Sequence, residues 1–350
     1  MKRFLELLMC MIAVLSCGKE GVGTSGTDIL PPEQGYSLAH GKIVLGDKLE
    51  NPYATENVRN AYTALYPTRS REDIETTDLY VRFLPESREQ LDALYELGLE
   101  LVDHPVDYEV ITDGDYYHDP SVPEEAITWQ YAVVPRGFVF PDVKYEVLDE
   151  CFIADSDMTT RSGESIDWSE LEAEAYRITG NEAMLVPESR GGKVNPSGRI
   201  TIVDEKANGG KPFGVAGVRV RCNTFVKFSS AYTDRDGYYH IPKKYSSKVR
   251  YRLVFKNEKG FAIGFNLIVV QASTSALGRT SPDGLSVTIT KDSDRKLFCR
   301  SVVNNAVYDY ISRCAEDDMN ITPPPGDLRI WLFSGLSASS AVMIHHGAVV

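Results

Sequence analysis

The stretch TDRDGYYHIP, residues 233–242, sets turn-forming residues between aromatic and β-branched flanks. Its acids suggest a calcium-binding loop, but neither register of an EF-hand fits. One register puts Tyr239 at the position that requires glycine, and the other puts Lys243 at the position of the bidentate glutamate. Asp234 can instead cap its own backbone, and Gly237 supplies a positive φ. The stretch therefore predicts a hairpin turn between two strands.

The residues around this turn repeat short, alternating strands separated by turn residues. Strands are predicted at GRITIVD (198–204), GVRVRCNTF (217–225), SSAYT (229–233), YYHIP (238–242), RYRLVFK (250–256) and LSVTIT (285–290). Within VRVRC, the apolar side chains alternate with Arg219 and Arg221, which predicts one buried face and one face in water. Many short strands of this kind are typical of a β-sandwich.

The order GRITIVD, GVAGVRV and TDRDGYYHIP is similar to the carboxypeptidase regulatory-like domain. The resemblance covers residues 198–292 and implies a transthyretin-like β-sandwich. It also implies an accessory module that lies beside enzymes or transporters at bacterial surfaces. The motif matches at Thr233, Asp234, Gly237 and Tyr239, to which the family assigns structural rather than catalytic roles.

The N-terminus, MKRFLELLMCMIAVLSCGKE, has a basic start and an apolar run at residues 7–15 that is too short to cross a bilayer. The order of an apolar run, Ser16 and Cys17 resembles the lipobox of bacterial lipoproteins. That resemblance implies cleavage before Cys17 and attachment of acyl chains such as palmitate, which would anchor the chain in the cell envelope, in the outer membrane. The alternatives are an ordinary cleaved signal peptide and a short buried helix.

The whole chain is predicted to be an α+β multidomain protein. Its predicted segments are a lipoprotein signal peptide and lipobox (1–17), a flexible tether (18–50), an α+β sheet domain (51–155), a connector with one helix (156–197), the β-sandwich (198–292), and the helix and strand of a truncated, incomplete α/β domain (293–350).

Local patterns predict the elements outside the sandwich. Helices are predicted at 54–65, at 86–98 with Ser87 and Gln90 as a capping box, within 140–153, at 167–180 with Asp167 as N-cap, and at 301–316. Further strands are predicted at 78–85, 99–105, 129–135 and 328–334.

The sequence offers little catalytic chemistry. It contains none of the motifs HExxH, GxSxG and GxxxxGK[ST], and no CxxC pair, so no catalytic residue, metal ligand or cofactor is predicted. His104 beside Asp103 is expected to face solvent in a loop. Four cysteines beyond the lipobox have three pairings open to them, although their apolar contexts favour buried free thiols; they are Cys151, Cys222, Cys299 and Cys314.

The composition limits the partners. Acids outnumber bases 50 to 37, and this net charge of -13 disfavours nucleic acid. Tyrosines such as Tyr116 and Tyr117 either stack on sugars or peptides, or fill strand faces. The sequence predicts a lipid-anchored binding or accessory protein with an extracellular protein or glycan partner. The alternative is the front portion of a larger surface lipoprotein that, in some relatives, continues into a zincin-type metallopeptidase.

Overall fold

The computed structural model describes residues 41–154, 166–186, 194–264, 272, 274–316, 321–326, 328–332, 343–345 and 348–349. The fold is a mixed α+β fold rich in antiparallel sheet. The predicted signal peptide, Cys17 and most of the tether lie outside the described residues. The division into domains therefore stays a prediction.

The N-terminal part combines two small sheets with helices. Strands β1 (Val44–Lys48) and β3 (Tyr108–Thr112) form an antiparallel pair, and a three-stranded sheet has the order β4-β2-β5, formed by Gln130–Pro135, Asp78–Leu84 and Lys144–Cys151. The helices of this part are α1 (Thr55–Leu65), α2 (Arg88–Glu96) and α3 (Trp168–Ile178).

The predicted helix caps are present. Ser87 Oγ accepts a hydrogen bond from Gln90 N at 3.3 Å, and Asp167 Oδ1 accepts from two backbone N–H groups in the first turn of α3. Each bond satisfies an amide that has no partner inside the helix. Gly180 follows α3 with a φ of 72°, a conformation that ends helices readily because glycine has no Cβ.

Two local predictions were wrong in this part. Residues 144–151 form strand β5 and not a helix, because antiparallel pairing with β2 satisfies their backbone groups and places Glu146 against Arg82. Residues 99–105 form no strand. They contact the sheet through a single bridge, in which Val102 and Tyr131 exchange backbone hydrogen bonds of 2.9 and 2.7 Å.

The middle of the chain forms two further sheets. One has the order β13-β11-β8-β9, formed by Thr274–Thr280, Val249–Val254, Arg219–Thr224 and Lys227–Tyr232. The other has the order β10-β6-β14, formed by Tyr238–His240, Ser197–Val203 and Val287–Thr290, with β7 (Phe213–Gly214) also paired to β6. Both sheets contribute apolar side chains to one buried cluster, which we call the main core; its members include Ile200, Val220, Leu253 and Val287.

The stretch at residues 233–242 turns sharply between these two sheets. Asp234 Oδ1 accepts hydrogen bonds from Asp236 N at 2.9 Å and Tyr238 N at 2.8 Å, and Gly237 has a φ of 85°. The turn does not close a simple hairpin, because β10 pairs with β6 while β9 pairs with β8. The chain uses it to pass from one sheet to the other.

The C-terminal helix and strand contact the same core. Helix α4 (Arg295–Glu316) begins earlier than predicted, because Asp294 Oδ1 caps it by accepting from Leu297 N at 2.9 Å. Leu297 and Leu328 are buried in the main core. Strand β15 (Arg329–Trp331) pairs with β12 (Ala262–Gly264) on one edge and with β16 (Met343–His345) on the other; β17 (Ala348–Val349) pairs with β16.

Among the described residues, no helix has the length and apolar character needed to cross a membrane. The four cysteines outside the N-terminus are free thiols. Cys151 and Cys222 are buried as expected, but Cys299 is exposed and Cys314 is half-buried. The expectation was wrong for these two because both lie on α4, which is only partly covered by the main core.

Candidate functional site

Strands β8 and β11 place four arginines on one face of the sheet β13-β11-β8-β9, which we call the arginine sheet; Arg279 of β13, directly opposite Arg250, is a fifth on that face. Strand β8 contributes Arg219 and Arg221, and strand β11 contributes Arg250 and Arg252. They alternate with apolar side chains that face the main core. The antiparallel register places Arg252 directly opposite Arg221. The sheet thus carries a group of guanidinium ions on the face that points away from the core.

This face is buried, not in water as the sequence predicted. Arg252 is 2% exposed and Arg221 is 5% exposed. Loops on either side of β3 cover them: the Leu101 carbonyl accepts a hydrogen bond from Arg221 Nη1 at 3.1 Å, and the Gly114 carbonyl accepts one from Arg252 Nη1 at 2.8 Å. The prediction failed because an alternating strand does not show what covers its polar face.

Three of the four arginines have a carboxylate partner. Arg252 Nη2 donates to Asp113 Oδ1 at 2.7 Å, and Arg250 Nε lies 4.0 Å from Oδ2 of the same side chain. Arg219 forms an ion pair with Glu100. Burial would raise the pKa of Asp113, but the two nearby guanidinium ions hold that pKa below its usual value, so the carboxylate stays charged.

Arg221 differs from the other three. Among the described residues it donates one hydrogen bond, to the Leu101 carbonyl, and its Nε has no partner. Burial, reinforced by the charges of Arg252 and Arg219, lowers the pKa of Arg221 to about 9, while the negative charge of Asp103 opposes this. The guanidinium remains protonated at neutral pH. It is therefore a buried cation without a bonded counter-ion.

A cavity of about 340 Å³ opens where the covering loops meet the arginine sheet. We call it the Arg221 cavity. Its wall combines several cations, hydrogen-bond acceptors and aromatic or apolar surface, represented by Arg221, Asp103, Gln130, Tyr116 and Leu99. Ligand pockets commonly occupy about 300–1,000 Å³ and mix apolar walls with a few convergent polar groups. The cavity matches that description.

Asp103 is held in this wall by two donors. His104 Nδ1 lies 2.8 Å from Asp103 Oδ1, and Tyr117 N donates to Asp103 Oδ2 at 2.6 Å. His104 is buried, so the expectation that it faces solvent was wrong. Burial lowers the pKa of His104 to about 4 against the opposing effect of Asp103, and the ring is neutral at pH 7. It can therefore donate one N–H to the carboxylate and orient it.

This histidine predicts a loss of stability in acid. Its pKa is about 4 in the folded chain and about 6.5 when exposed, so the unfolded chain binds more protons between these values. The free energy of unfolding should fall by about 2–3 kcal/mol from this group between pH 7 and pH 4.5. Urea denaturation of the full-length protein in detergent at both pH values would measure it.

The matched control is His104→Asn, which keeps a donor toward Asp103 but cannot titrate. Its loss of stability over the same pH range should be smaller than that of the wild type by most of this amount. Equal losses in both proteins would contradict the assignment of a low pKa to His104.

A second buried polar cluster joins α3 to β9. Lys227 Nζ lies 3.0 Å from Glu172 Oε1, and both side chains are almost fully buried. Tyr53 donates its hydroxyl to the same carboxylate, and Ser246 Oγ donates to Glu172 Oε2 at 3.1 Å. The cavity beside this pair is only about 20 Å³. The cluster has no room for a ligand and serves to hold the connector helix on the arginine sheet.

The residues that the sequence singled out lie elsewhere. Thr233, Asp234, Gly237 and Tyr239 do not border the Arg221 cavity. Thr233 Oγ1 donates to a backbone carbonyl at 2.6 Å, and Tyr239 is buried in the main core. Cys17 lies outside the described residues. Within the described ranges, no group of three or more His, Cys, Asp or Glu side chains is placed to hold a metal ion.

The sequence did contain a signal for the cavity. VRVRC and RYR, at residues 218–222 and 250–252, both alternate arginine with apolar residues. Two such strands that pair must gather their arginines on one face. Tyr116 and Tyr117, which were singled out as one of two alternatives for sugar or peptide contact, do line the cavity.

Comparisons with known proteins add little. No family model and no curated protein matches the chain. The crystal structure of (S)-allantoin synthase is similar over 35% of this chain at 14% sequence identity and a TM-score of 0.17. The similar region spans about half of that chain, 47%. A likeness this weak carries no argument about fold or function.

Proposed function

We propose that this protein is a lipid-anchored binding protein of the bacterial cell envelope that captures a small ligand in the Arg221 cavity. The observation that carries the proposal is the cavity itself, which is enclosed by the arginine sheet and the loops beside β3. Its volume of about 340 Å³ suits a small molecule or the end of a glycan better than a protein surface.

The fold is compatible with this role. Two sheets share the main core, as the predicted transthyretin-like β-sandwich requires. In the carboxypeptidase regulatory-like domains that residues 198–292 resemble, the module is accessory rather than catalytic. We therefore propose that the sandwich acts as a rigid wall for a binding site and performs no chemistry. The absence of HExxH, GxSxG and P-loop motifs from the sequence supports the same proposal.

The anchor is proposed from the order of residues before Cys17. More than one acyl chain on this residue would hold the protein stably on a membrane, with the tether separating the binding site from the lipid surface. The envelope is also where extracellular glycans and peptides are available as ligands. Nucleic acid is not expected, given the net charge of -13.

The anchor has a direct test. In cells that express the full chain, Cys17→Ala should remove acylation and shift the protein from the membrane pellet to the soluble fraction, because the anchoring chains are lost. Metabolic labelling with a palmitate analogue and membrane fractionation would measure both effects. Cys10→Ala, in the apolar run, is the control and should keep the label. Labelling of the Cys17→Ala variant would contradict the proposal.

The binding site is tested by blocking it. Thermal unfolding of the full-length protein in detergent is measured with neutral sugars, sugar acids, amino acids and short peptides, because a ligand that binds only the folded chain raises its melting temperature. At least one class should raise it. Leu99→Trp, which puts a large side chain into the cavity, should abolish the rise, whereas Leu97→Trp, on a half-exposed neighbour outside the cavity, should not. If no class raises the melting temperature, the proposed function is wrong.

A further inference from the structure

Of the four arginines on β8 and β11, one has no carboxylate partner among the described residues. Arg219 is paired with Glu100, and Arg250 and Arg252 share Asp113. Each of these pairs brings opposite charges together at low exposure. Arg221, 5% exposed, bonds only a neutral carbonyl among the described residues. Burying a charge without a bonded counter-ion costs several kcal/mol, so an anion that reached this guanidinium would be strongly favoured.

The guanidinium also limits the kind of anion. Its flat fork presents parallel N–H donors whose spacing matches the two oxygens of a carboxylate. Nη1 of Arg221 already donates to the Leu101 carbonyl, and Nε has no hydrogen-bond partner within the described part of the chain. Five cations of the wall, Lys42, Arg219, Arg221, Arg252 and Lys256, stand against four carboxylates, Glu100, Asp103, Asp115 and Glu124, which leaves one positive charge in excess. A monoanion balances that charge, whereas a dianion such as a phosphate ester exceeds it.

Those acids point to hydroxyl groups on the ligand. A carboxylate can only accept hydrogen bonds, and Asp103 has been fixed in place by His104 and Tyr117 N. Gln130 lines the same wall with its amide. Sugar hydroxyls are donors that such acceptors bind well. Tyr116 offers an aromatic surface of the kind on which a sugar ring can lie.

We propose that the Arg221 cavity binds a uronic acid, as the free sugar or at the end of a glycan, with the carboxylate on Arg221 and the hydroxyls on Asp103 and Gln130. This inference rests on the proposed function, in that it requires the cavity to be a ligand site. To the proposed function it adds the chemical class of the ligand, an acidic sugar. The charge of the sugar, and not its ring alone, would select it.

The test uses isothermal titration of the full-length protein in detergent with D-glucuronate and D-galacturonate. D-glucose and D-galactose are the neutral comparisons, and glucose 6-phosphate is the dianion. At least one uronate should bind, with its neutral counterpart and the phosphate at least tenfold weaker. Arg221→Gln should weaken uronate binding at least tenfold, because a charge-assisted hydrogen bond is lost. Arg235→Gln, at an exposed arginine outside the cavity, should leave binding unchanged.

Folding of the variant is checked separately. Because Arg221 has no carboxylate partner among the described residues, Arg221→Met should melt, without ligand, at or above the wild-type temperature. A lower melting temperature would show that Arg221 is needed for the fold and would overturn the inference. Equal binding of neutral and acidic sugars, tighter binding of the phosphate, or no effect of Arg221→Gln would overturn it too.

Failure of this inference differs from failure of the proposed function. If a neutral sugar, an amino acid or a peptide binds, and Leu99→Trp blocks it while uronates do not bind, the cavity is a ligand site for another class. The uronate proposal alone is then wrong. If no compound of any class binds, the proposed function is wrong as well.

Discussion

Replacing Lys227 with methionine is expected to lower the free energy of unfolding by about 3–5 kcal/mol. Lys227 Nζ lies 3.0 Å from Glu172 Oε1, with both side chains almost fully buried. Methionine preserves the length and apolar stem of the lysine, so packing changes little. The loss comes from Glu172, whose carboxylate would remain buried without its cation.

The penalty should depend on the partner, because it arises from a buried carboxylate that has lost its cation. In Lys227→Met/Glu172→Gln the charge is gone, while the amide oxygen still accepts from the Tyr53 hydroxyl. The double variant should therefore recover at least about 1 kcal/mol relative to Lys227→Met.

Urea denaturation of the full-length protein in detergent, at one neutral pH, measures these differences. The exposed pair of Arg177 and Glu174 on α3 provides the control, and Arg177→Met should change stability by less than about 1 kcal/mol. If Lys227→Met is no more destabilising than Arg177→Met, the buried pair does not hold α3 on the arginine sheet.

The strands of the middle region could be predicted because apolar and polar side chains alternate along them, a pattern typical of strands with one buried face. All six segments predicted there as strands contain strands, and both predicted capping residues, Ser87 and Asp167, accept the expected backbone hydrogen bonds. Signals of this kind depend on residues close in sequence. A turn or a cap is decided within about four positions along the chain.

The errors arose where distant residues decide the structure. Residues 144–151 have no strong local preference, and pairing with β2 makes them a strand. The arginine face was predicted to be exposed to solvent because the sequence of β8 contains no information about the loops that cover it. The cavity could not be predicted for the same reason, since Asp103 and Arg221 are brought together only by the packing of separate elements. A binding site formed in this way is a property of the fold rather than of a motif.

Replacing Gly237 with alanine should cost about 3–5 kcal/mol of stability, although it adds a single methyl group. Gly237 has a φ of 85°, which is unfavourable for any residue with a Cβ. A Cβ at this position would also lie 2.1 Å from the Ile200 carbonyl oxygen and 2.9 Å from Gly214 Cα. Both contacts are with backbone, so no side chain can move aside to relieve them.

Gly98→Ala separates the cost of the positive φ from the cost of the clash with the backbone. Gly98 has a φ of 74°, yet a Cβ there would meet nothing within 4 Å. Its substitution should cost about 1–2 kcal/mol, the conformational part alone. The difference between the two variants in urea denaturation then measures how closely the turn at residues 233–242 must approach β6. Because Ile200 N donates to the Gly237 carbonyl at 2.8 Å, that approach joins the turn to the sheet that closes the main core. Equal losses in the two variants would show that the turn can move away from β6, and the glycine would then be needed only for its φ.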